Sequence, residues 1–344
     1  MKAAVYYSNS DVRIEDVPRP AAGPGELVVK VMASGICGSD VMEWYRIRKA
    51  PVILGHEIAG VVEEVGEGVE RFKVGEAVTA AHHVPCNTCR YCLAGGHSVC
   101  ELLRTTNFDP GGFCEYVRVP AVNVDRGVFR LPRGMSFIEG SFSEPLGCVV
   151  RGLRVARFEP GRSVLVLGSG ISGILHIKLV RALGAGPVVA TDVNAFRLEA
   201  ARRAGADLAV AADADVAGAV REATAGRLAD FVVLCTAHDS AIAQAVECVE
   251  RGGTIIFFAP KGPGETYPMP LFELWRDNVK LVNTYASPPG DTLTALDLMA
   301  SGRVEVEDMV THRLPLDDAA RGFALTARAG ESMKVVIEPH RPGG

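Results

Sequence analysis

The pattern of apolar and polar positions divides the chain into two parts. Up to about residue 150, short apolar segments alternate with turns that contain glycine, and strands are predicted at 27–31, 58–62, 76–79 and 115–119. Their alternating pattern and β-branched residues are typical of strands with one buried face. The first part is therefore predicted to be a β-rich domain.

From Ser163 onward, continuously apolar strands alternate with Ala-rich helical segments. Strands are predicted at 164–167, 188–191, 208–211, 231–235, 254–258 and 280–283, and helices at 174–183, 197–204 and 241–249. This alternation predicts an α/β domain with a doubly wound parallel sheet. After Tyr285 the pattern loosens and ends in a strand at 333–338, which could return to the first domain. The predicted domains are 1–149 with 286–344, and 150–285.

Length and charge restrict the class of protein. A chain of 344 residues is long for one core, so two domains are expected. The net charge of -5 and the absence of a Lys/Arg run argue against partners such as nucleic acid or a membrane, and hence against a nucleic-acid-binding zinc module. The N-terminal segment is too short and polar for a signal peptide, and no apolar run reaches membrane-spanning length. We expect a cytoplasmic protein that acts on a small molecule.

A glycine-rich turn follows the first strand of the second part. Gly168, Gly170 and Gly173 permit a tight turn, the approach of a pyrophosphate and close packing of the following helix. Asp192 lies 19 residues after Gly173, where a carboxylate can accept hydrogen bonds from the ribose hydroxyls of NAD and repel a 2′-phosphate. NAD is therefore expected rather than NADP, with Arg197 near the adenine.

Four of the nine cysteines lie in one short stretch. Cys86, Cys89, Cys92 and Cys100 are separated by two, two and seven residues. Four thiolates can complete a tetrahedral shell around Zn²⁺, and a site with no open position is structural. An iron–sulfur cluster is the alternative, but the fourth cysteine is too distant for the common ferredoxin run and no proline follows it.

A second possible metal group is dispersed along the first domain. Cys37 and the pair His56-Glu57 each have an ordinary structural interpretation when taken singly, as a small apolar residue or a packed histidine. Together with a nicotinamide site, they supply a thiolate, an imidazole and a carboxylate. Such a set would leave room on zinc for a substrate.

Motifs along nearly the whole chain resemble the zinc-containing medium-chain dehydrogenase/reductase superfamily, particularly its sorbitol and threonine dehydrogenase-like members. The motifs are Gly55-His56-Glu57 with Gly60, the four-cysteine stretch, Gly111–Tyr116, Glu144-Pro145, Gly168–Gly173, Thr191–Asn194 and Val310–Arg313. The resemblance implies a GroES-like catalytic domain completed by the C-terminal segment, a Rossmann domain and an active site between them. It also implies a homo-oligomer, a dimer or tetramer.

The resemblance assigns roles by position. Cys37 and His56 correspond to catalytic zinc ligands, Glu144 to the third ligand, and Glu57 to a neighbouring carboxylate able to ligate in turn. Ser39 corresponds to the first group in proton removal. His83 corresponds to a histidine of the substrate pocket, whereas the adjacent His82 is expected to be a packed or surface residue. Ile171, Ser172 and Thr236 are expected to contact the cofactor.

The chain departs from the family pattern at positions near the substrate. Met42 occupies the position of the relay histidine found in many relatives, so the proton is expected to leave through water, His83 or Glu144. The polyol-binding arginine of sorbitol dehydrogenases is absent from 283–285. The basic and aromatic segment 44–49 is either a solvated surface loop or part of the substrate site.

The predicted activity is oxidation of a secondary alcohol of polyol, sugar-alcohol or hydroxy-acid type by zinc and NAD⁺, with two zinc ions per chain. Two alternatives are an L-threonine 3-dehydrogenase-like activity and a zinc-free NADPH enone reductase of the same fold. Cys37, His56 and Asp192 argue against the second alternative.

Overall fold

The computed structural model describes residues 1–342, which divide into two compact units. Unit 1 contains Met1–Gly147 and the segment that begins at Ala286, and unit 2 is Cys148–Tyr285. Among residues 1–342, no helix has both the length and the apolar character needed to cross a membrane.

The strands are numbered in chain order. They are β1 (Lys2–Ser8), β2 (Asp11–Asp16), β3 (Leu27–Gly35), β4 (Val52–Ile53), β5 (Glu57–Val65), β6 (Ala77–Ala80), β7 (Tyr116–Val119), β8 (Val128–Arg130), β9 (Val164–Leu167), β10 (Val188–Asp192), β11 (Leu208–Ala211), β12 (Ala229–Leu234), β13 (Val249–Phe257), β14 (Lys280–Asn283), β15 (Val310–Pro315) and β16 (Lys334–Glu338).

The α-helices are numbered in the same way. They are α1 (Glu43–Arg46), α2 (Arg90–Leu93), α3 (Glu101–Thr105), α4 (Ala121–Gly127), α5 (Phe137–Ser141), α6 (Ser143–Val155), α7 (Ile171–Ala182), α8 (Ala195–Arg203), α9 (Val216–Ala223), α10 (Asp239–Cys248), α11 (Leu271–Arg276), α12 (Pro289–Ala300) and α13 (Ala319–Arg328). Short 3-10 helices cover Gly38–Val41, Ile47–Lys49, His97–Val99, Glu307–Met309 and Leu316–Asp318.

Unit 1 is built on a mainly antiparallel sheet in the order β15-β16-β3-β5-β6-β8, with β7 also paired to β3. Alternate residues of β3 and β5, including Leu27, Val29, Val31, Ile58 and Val62, enter one apolar core. Strand β16 of the C-terminal segment pairs with β3, so this segment completes the sheet that β3 and β5 form, whereas β1, β2 and β4 form a separate three-stranded sheet.

The register of this sheet brings together the end of β3, the start of β5 and the middle of β16. Gly35 of β3 is opposite Glu57 of β5 and also opposite Val336 of β16. Cys37 follows Gly35 by two residues and His56 precedes Glu57 by one, so the two lie close together. A side chain at position 35 would overlap Glu57 and Lys334, which explains a glycine at the point where the strands meet.

Unit 2 is a six-stranded parallel sheet in the order β11-β10-β9-β12-β13-β14. Every residue of β9 and β10 is buried, as expected for central strands covered on both faces. The two sheets confirm the predicted fold class, a β-rich domain plus an α/β domain with a parallel sheet.

Candidate active site

The four-cysteine stretch forms a compact group in unit 1. The Sγ atoms of Cys86, Cys89, Cys92 and Cys100 all lie within 4.8 Å of one another. Cys89 Sγ is 3.5 Å from Cys92 Sγ, and Cys86 Sγ is 3.9 Å from it. Zn–S bonds of about 2.3 Å in a tetrahedron place sulfurs about 3.8 Å apart, so this donor set fits zinc.

Backbone groups of the same stretch prepare the sulfurs for a metal. The N–H of Cys89 donates to Cys86 Sγ at 3.2 Å, and the N–H of Cys92 donates to Cys89 Sγ at 3.5 Å. The N–H of Cys86 donates to Cys100 Sγ at 3.3 Å. Hydrogen bonds from Thr88 and Cys89 lower the pKa of Cys86 to about 5. These hydrogen bonds favour the thiolate of Cys86, the form that binds metal, whereas burial raises the pKa of Cys92 to about 12.

The second group lies where β3 and β5 meet. Single ligand atoms of Cys37, His56 and Glu57 lie within 4.8 Å of one another. Cys37 caps the 3-10 helix Gly38–Val41, and its Sγ accepts a hydrogen bond from the N–H of Ser39 at 3.4 Å. His56 and Glu57 are 8% and 1% exposed, so these donors are held in a mostly water-excluded site.

Asp40, which sequence analysis missed, fixes both Cys37 and His56. Its fully buried carboxylate accepts a hydrogen bond from the N–H of Cys37 at 3.1 Å and lies 3.5 Å from His56 Nδ1. Burial opposes a charge on either group, but their mutual attraction outweighs it, which lowers the pKa of Asp40 and raises that of His56. A carboxylate that orients a metal-binding histidine is a common feature, and its position three residues after Cys37 is a signal that could have found it.

Glu57 is bound to a lysine from the far end of the chain. Lys334 Nζ forms an ion pair with Glu57 Oε2, and both side chains are 1% exposed. Lys334 also donates to Ile36 O at 3.2 Å. The only sequence signal for this contact is a lysine at the start of an apolar strand, which does not reveal its partner.

The predicted histidines lie beside this group. The His82 ring is 4.7 Å from the His56 ring and 3.8 Å from the His83 ring, measured between centroids. His82 is packed in the interior, and burial lowers the pKa of His83 to about 4. Burial also lowers the pKa of His82 well below its usual value, so both histidines are neutral near pH 7. Glu144, also buried, lies in the first turn of α6.

The segment 44–49 separates into two kinds of residue. Trp44, Tyr45 and Ile47 are exposed at 42%, 37% and 43%, and Arg48 is exposed as well. Arg46, in contrast, has a side chain only 13% exposed and donates to Ser39 Oγ at 2.9 Å. The surface-loop interpretation therefore holds for most of the segment, whereas Arg46 belongs to the site.

In unit 2, the glycine-rich turn and Asp192 form one structure. Gly168 has φ +92°, and Gly170 precedes α7, whose first turn contains Ile171 and Ser172. Asp192 ends β10 and accepts hydrogen bonds from the N–H groups of Ser169 and Asn194 at 2.8 and 2.9 Å.

Two other predicted cofactor residues flank this turn. Arg197 Nη1 is 3.9 Å from Asp192 Oδ2, and an added Cβ at Gly170 would lie 3.8 Å from that nitrogen. The side chain of Thr236 lies next to Gly168, 3.5 Å from where a Cβ added at Gly168 would be. The turn therefore presents backbone N–H groups and a carboxylate together, which suits a dinucleotide.

These features define a metal-dependent dehydrogenase of two units. Residues 23–133 match the model of the alcohol dehydrogenase GroES-like domain, and residues 172–301 match that of the zinc-binding dehydrogenases. The chain belongs to the zinc-dependent medium-chain dehydrogenase/reductase superfamily, which confirms the family predicted from its motifs.

Similar proteins cover nearly the whole chain. L-threonine 3-dehydrogenase of Bacillus velezensis is 32% identical, with 98% of this chain and 99% of the relative covered. Sorbitol dehydrogenase of Gallus gallus is 31% identical, with 98% and 96% covered. The structure of alcohol dehydrogenase TADH from Thermus sp. ATN1 has a TM-score of 0.85 at 31% identity, with 98% and 99% covered. The chain is thus an alcohol dehydrogenase-type oxidoreductase.

Proposed function

We propose that this protein oxidises a secondary alcohol of polyol, sugar-alcohol or hydroxy-acid type, with NAD⁺ as hydride acceptor and zinc at the Cys37–His56 group. The observation that carries the proposal is the turn Gly38–Val41, in which a hydroxyl, Ser39, is held next to two metal donors. Relatives named as threonine and sorbitol dehydrogenases support the alcohol class.

Cys37 and His56 would hold the catalytic zinc, with Glu144 as the third ligand. Glu57 would be an alternate ligand, because its Oε2 is already paired with Lys334 and only Oε1 is available. When bound, zinc supplies a Lewis acid that makes a substrate hydroxyl more acidic, and NAD⁺ supplies the hydride acceptor. Cys86, Cys89, Cys92 and Cys100 would hold a structural zinc ion.

The chain's own residues would handle the substrate proton. A serine hydroxyl has one hydrogen to donate and two lone pairs, so Ser39 Oγ can accept the substrate proton while it passes on its own. Met42 cannot take that proton further. We propose that it leaves through water, with the neutral His83 or Glu144 as protein alternatives.

Unit 2 would bind NAD⁺ through its glycine-rich turn. Backbone N–H groups of Gly170, Ile171 and Ser172 would face the pyrophosphate, since they lie at the start of α7. Asp192 would accept hydrogen bonds from the ribose hydroxyls, while Arg197 and Thr236 would flank the adenosine and the turn. The Asp192 carboxylate also disfavours the 2′-phosphate of NADP.

The substrate class is tested by NADH formation from sorbitol, xylitol, L-threonine, 2,3-butanediol and hydroxy acids. The proposal predicts turnover of at least one of these secondary alcohols by the wild-type protein and none by Cys37→Ser. L-Threonine is the second candidate, because a threonine dehydrogenase is 32% identical over nearly the whole chain. Reduction of enones by NADPH in a protein that contains no zinc would contradict the proposal.

We also propose a homo-oligomer that works in the cytoplasm. In unit 2, β14 is an edge strand, and Leu271, Phe272 and Trp275 of α11 are 68%, 63% and 76% exposed. An edge strand beside large apolar side chains is typical of a surface that another chain covers. The absence of any disulfide among the nine cysteines of the described residues suits a reducing compartment. Light scattering that gives a monomer mass would contradict the oligomer.

A further inference from the structure

Arg46 is the one member of the segment 44–49 whose side chain turns into the site. Its side chain is 13% exposed, and its guanidinium carbon lies 4.6 Å from the centroid of the Tyr45 ring. It is the last residue of α1, a single helical turn that follows the 3-10 helix containing Ser39 and Asp40.

The guanidinium holds two successive residues of that turn. Arg46 Nε donates to Ser39 O at 2.9 Å, and Nη2 donates to Ser39 Oγ at 2.9 Å. The same Nη2 lies 3.3 Å from Asp40 Oδ1. Two hydrogen bonds from one planar group to the carbonyl and hydroxyl of one residue restrict both the peptide and the side-chain rotamer of Ser39.

These contacts determine how the Ser39 hydroxyl can act. Because Arg46 donates to Oγ, one lone pair is occupied while the other lone pair and the hydroxyl hydrogen stay available. A lysine at this position could not reproduce the planar two-point contact. Through Asp40, the same guanidinium also supports the carboxylate that faces His56 Nδ1.

We propose that Arg46 is a positioning residue, which fixes the Ser39 hydroxyl for proton transfer and, through Asp40, the orientation of the zinc ligand His56. This role rests on the proposed function for its kinetic consequence. Its structural part, the ordering of the turn Gly38–Val41, does not depend on the identity of the substrate.

The structural part is tested by hydrogen–deuterium exchange of the zinc-loaded protein without substrate. Arg46→Met should increase exchange in the peptide 36–43 about 10-fold, because its hydrogen-bonded anchor is lost. Arg46→Lys should show a similar increase, since it keeps the charge but not the planar contact. Arg48→Met is the matched control, an exposed arginine of the same segment that should leave exchange unchanged.

The kinetic part is tested by a double-mutant cycle of Arg46→Met and Ser39→Ala. The probe is whichever of sorbitol, L-threonine and 2,3-butanediol produces NADH. Arg46→Met should lower kcat more than it raises KM, with a loss in kcat/KM of about 10- to 100-fold. In the Ser39→Ala background, Arg46→Met should lower kcat/KM by a much smaller factor, because most of its effect acts through Ser39.

The outcomes separate this inference from the proposed function. If none of the probes is oxidised but Arg46→Met still loosens the peptide 36–43, the positioning role of Arg46 stands and the proposed function fails. If the wild type is active, exchange is unchanged and the two substitutions act independently in the cycle, the positioning role is wrong and the proposed function stands.

Discussion

At the residue scale, the stability of unit 1 is expected to depend on the ion pair of Lys334 and Glu57, because both charges are buried. Removing one partner of such a pair leaves an uncompensated charge and typically destabilises a protein by about 3–5 kcal/mol. Lys334→Met should therefore lower the free energy of unfolding in urea by about that amount. Lys2→Met, which removes an exposed partner of Asp317, should have little effect. Equal losses for both variants would contradict this account of the pair.

Asp192 is expected to decide the choice of nucleotide. Both carboxylate oxygens accept backbone N–H groups at the end of β10, so the charge is held at one place. Asp192→Ala should shift the ratio of kcat/KM for NAD⁺ over NADP⁺ at least about 10-fold toward NADP⁺, since it removes hydrogen bonds and a repulsion. The exposed Asp213→Ala is the control. A wild-type protein that uses NADP⁺ more efficiently would refute the assignment.

His176 should make unit 2 sensitive to acid. Burial lowers the pKa of His176 to about 4, whereas an unfolded histidine titrates near 6.5. The contribution of neutral His176 to the free energy of unfolding is complete above about pH 6.5. It is lost as the pH falls toward 4, because in this range the unfolded chain binds a proton and the folded chain does not. At pH 5 the loss is about 2 kcal/mol. Urea unfolding from pH 7 to 5 should show a weaker pH dependence for His176→Met; an equal slope would contradict this.

Sequence could identify the residues whose chemistry is unusual, but not those that orient them. Cysteines, His56 and the glycines are found from spacing, because their separation along the chain is set by the ligand they hold. Lys334 lies 277 residues from Glu57 in the chain, and the two meet because β3 pairs with both β16 and β5. Arg46 was not separable from its exposed neighbours, because burial of one side chain in a short helix has no periodic signal.

At the element scale, the start of α7 depends on Gly173. A Cβ at this position would overlap the carbonyl oxygen of Gly168, which is backbone and cannot move aside as a flexible side chain can. Gly173→Ala should therefore displace α7 from the turn and weaken NAD⁺ binding, measured by calorimetry, by about 10-fold or more. Gly290→Ala, where an added methyl group meets open space, is the control. Unchanged affinity in Gly173→Ala would contradict this role of the turn.

The accuracy of the predicted elements follows from how clearly their ends are marked along the chain. The predicted 164–167, 208–211 and 280–283 agree with the observed strands, because short apolar runs between helices have clear limits. The strand Val249–Phe257 begins five residues before the predicted 254, since its first part is polar and partly exposed. The 3-10 helix Gly38–Val41 was not predicted, because tertiary contacts at Cys37 and Asp40 define it.

At the scale of the whole molecule, the chain combines two metal groups and a nucleotide turn that its family shares. The two groups are both in unit 1, and the nucleotide turn is in unit 2. The two metal groups differ in donor set, four thiolates in one and a thiolate, an imidazole and a carboxylate in the other. This difference predicts that one zinc ion is structural and that the other carries activity.

The most direct test of that claim is the zinc content of purified variants, measured together with NADH formation. The account predicts two zinc ions per wild-type chain. Cys37→Ser should retain one zinc ion and its fold but lose activity, whereas Cys89→Ser should lose the other ion and unfold at lower temperature. Cys248→Ser, a buried thiol outside both groups, should keep two ions. Iron in the wild-type protein, a single zinc ion, or an active Cys37→Ser would contradict the account.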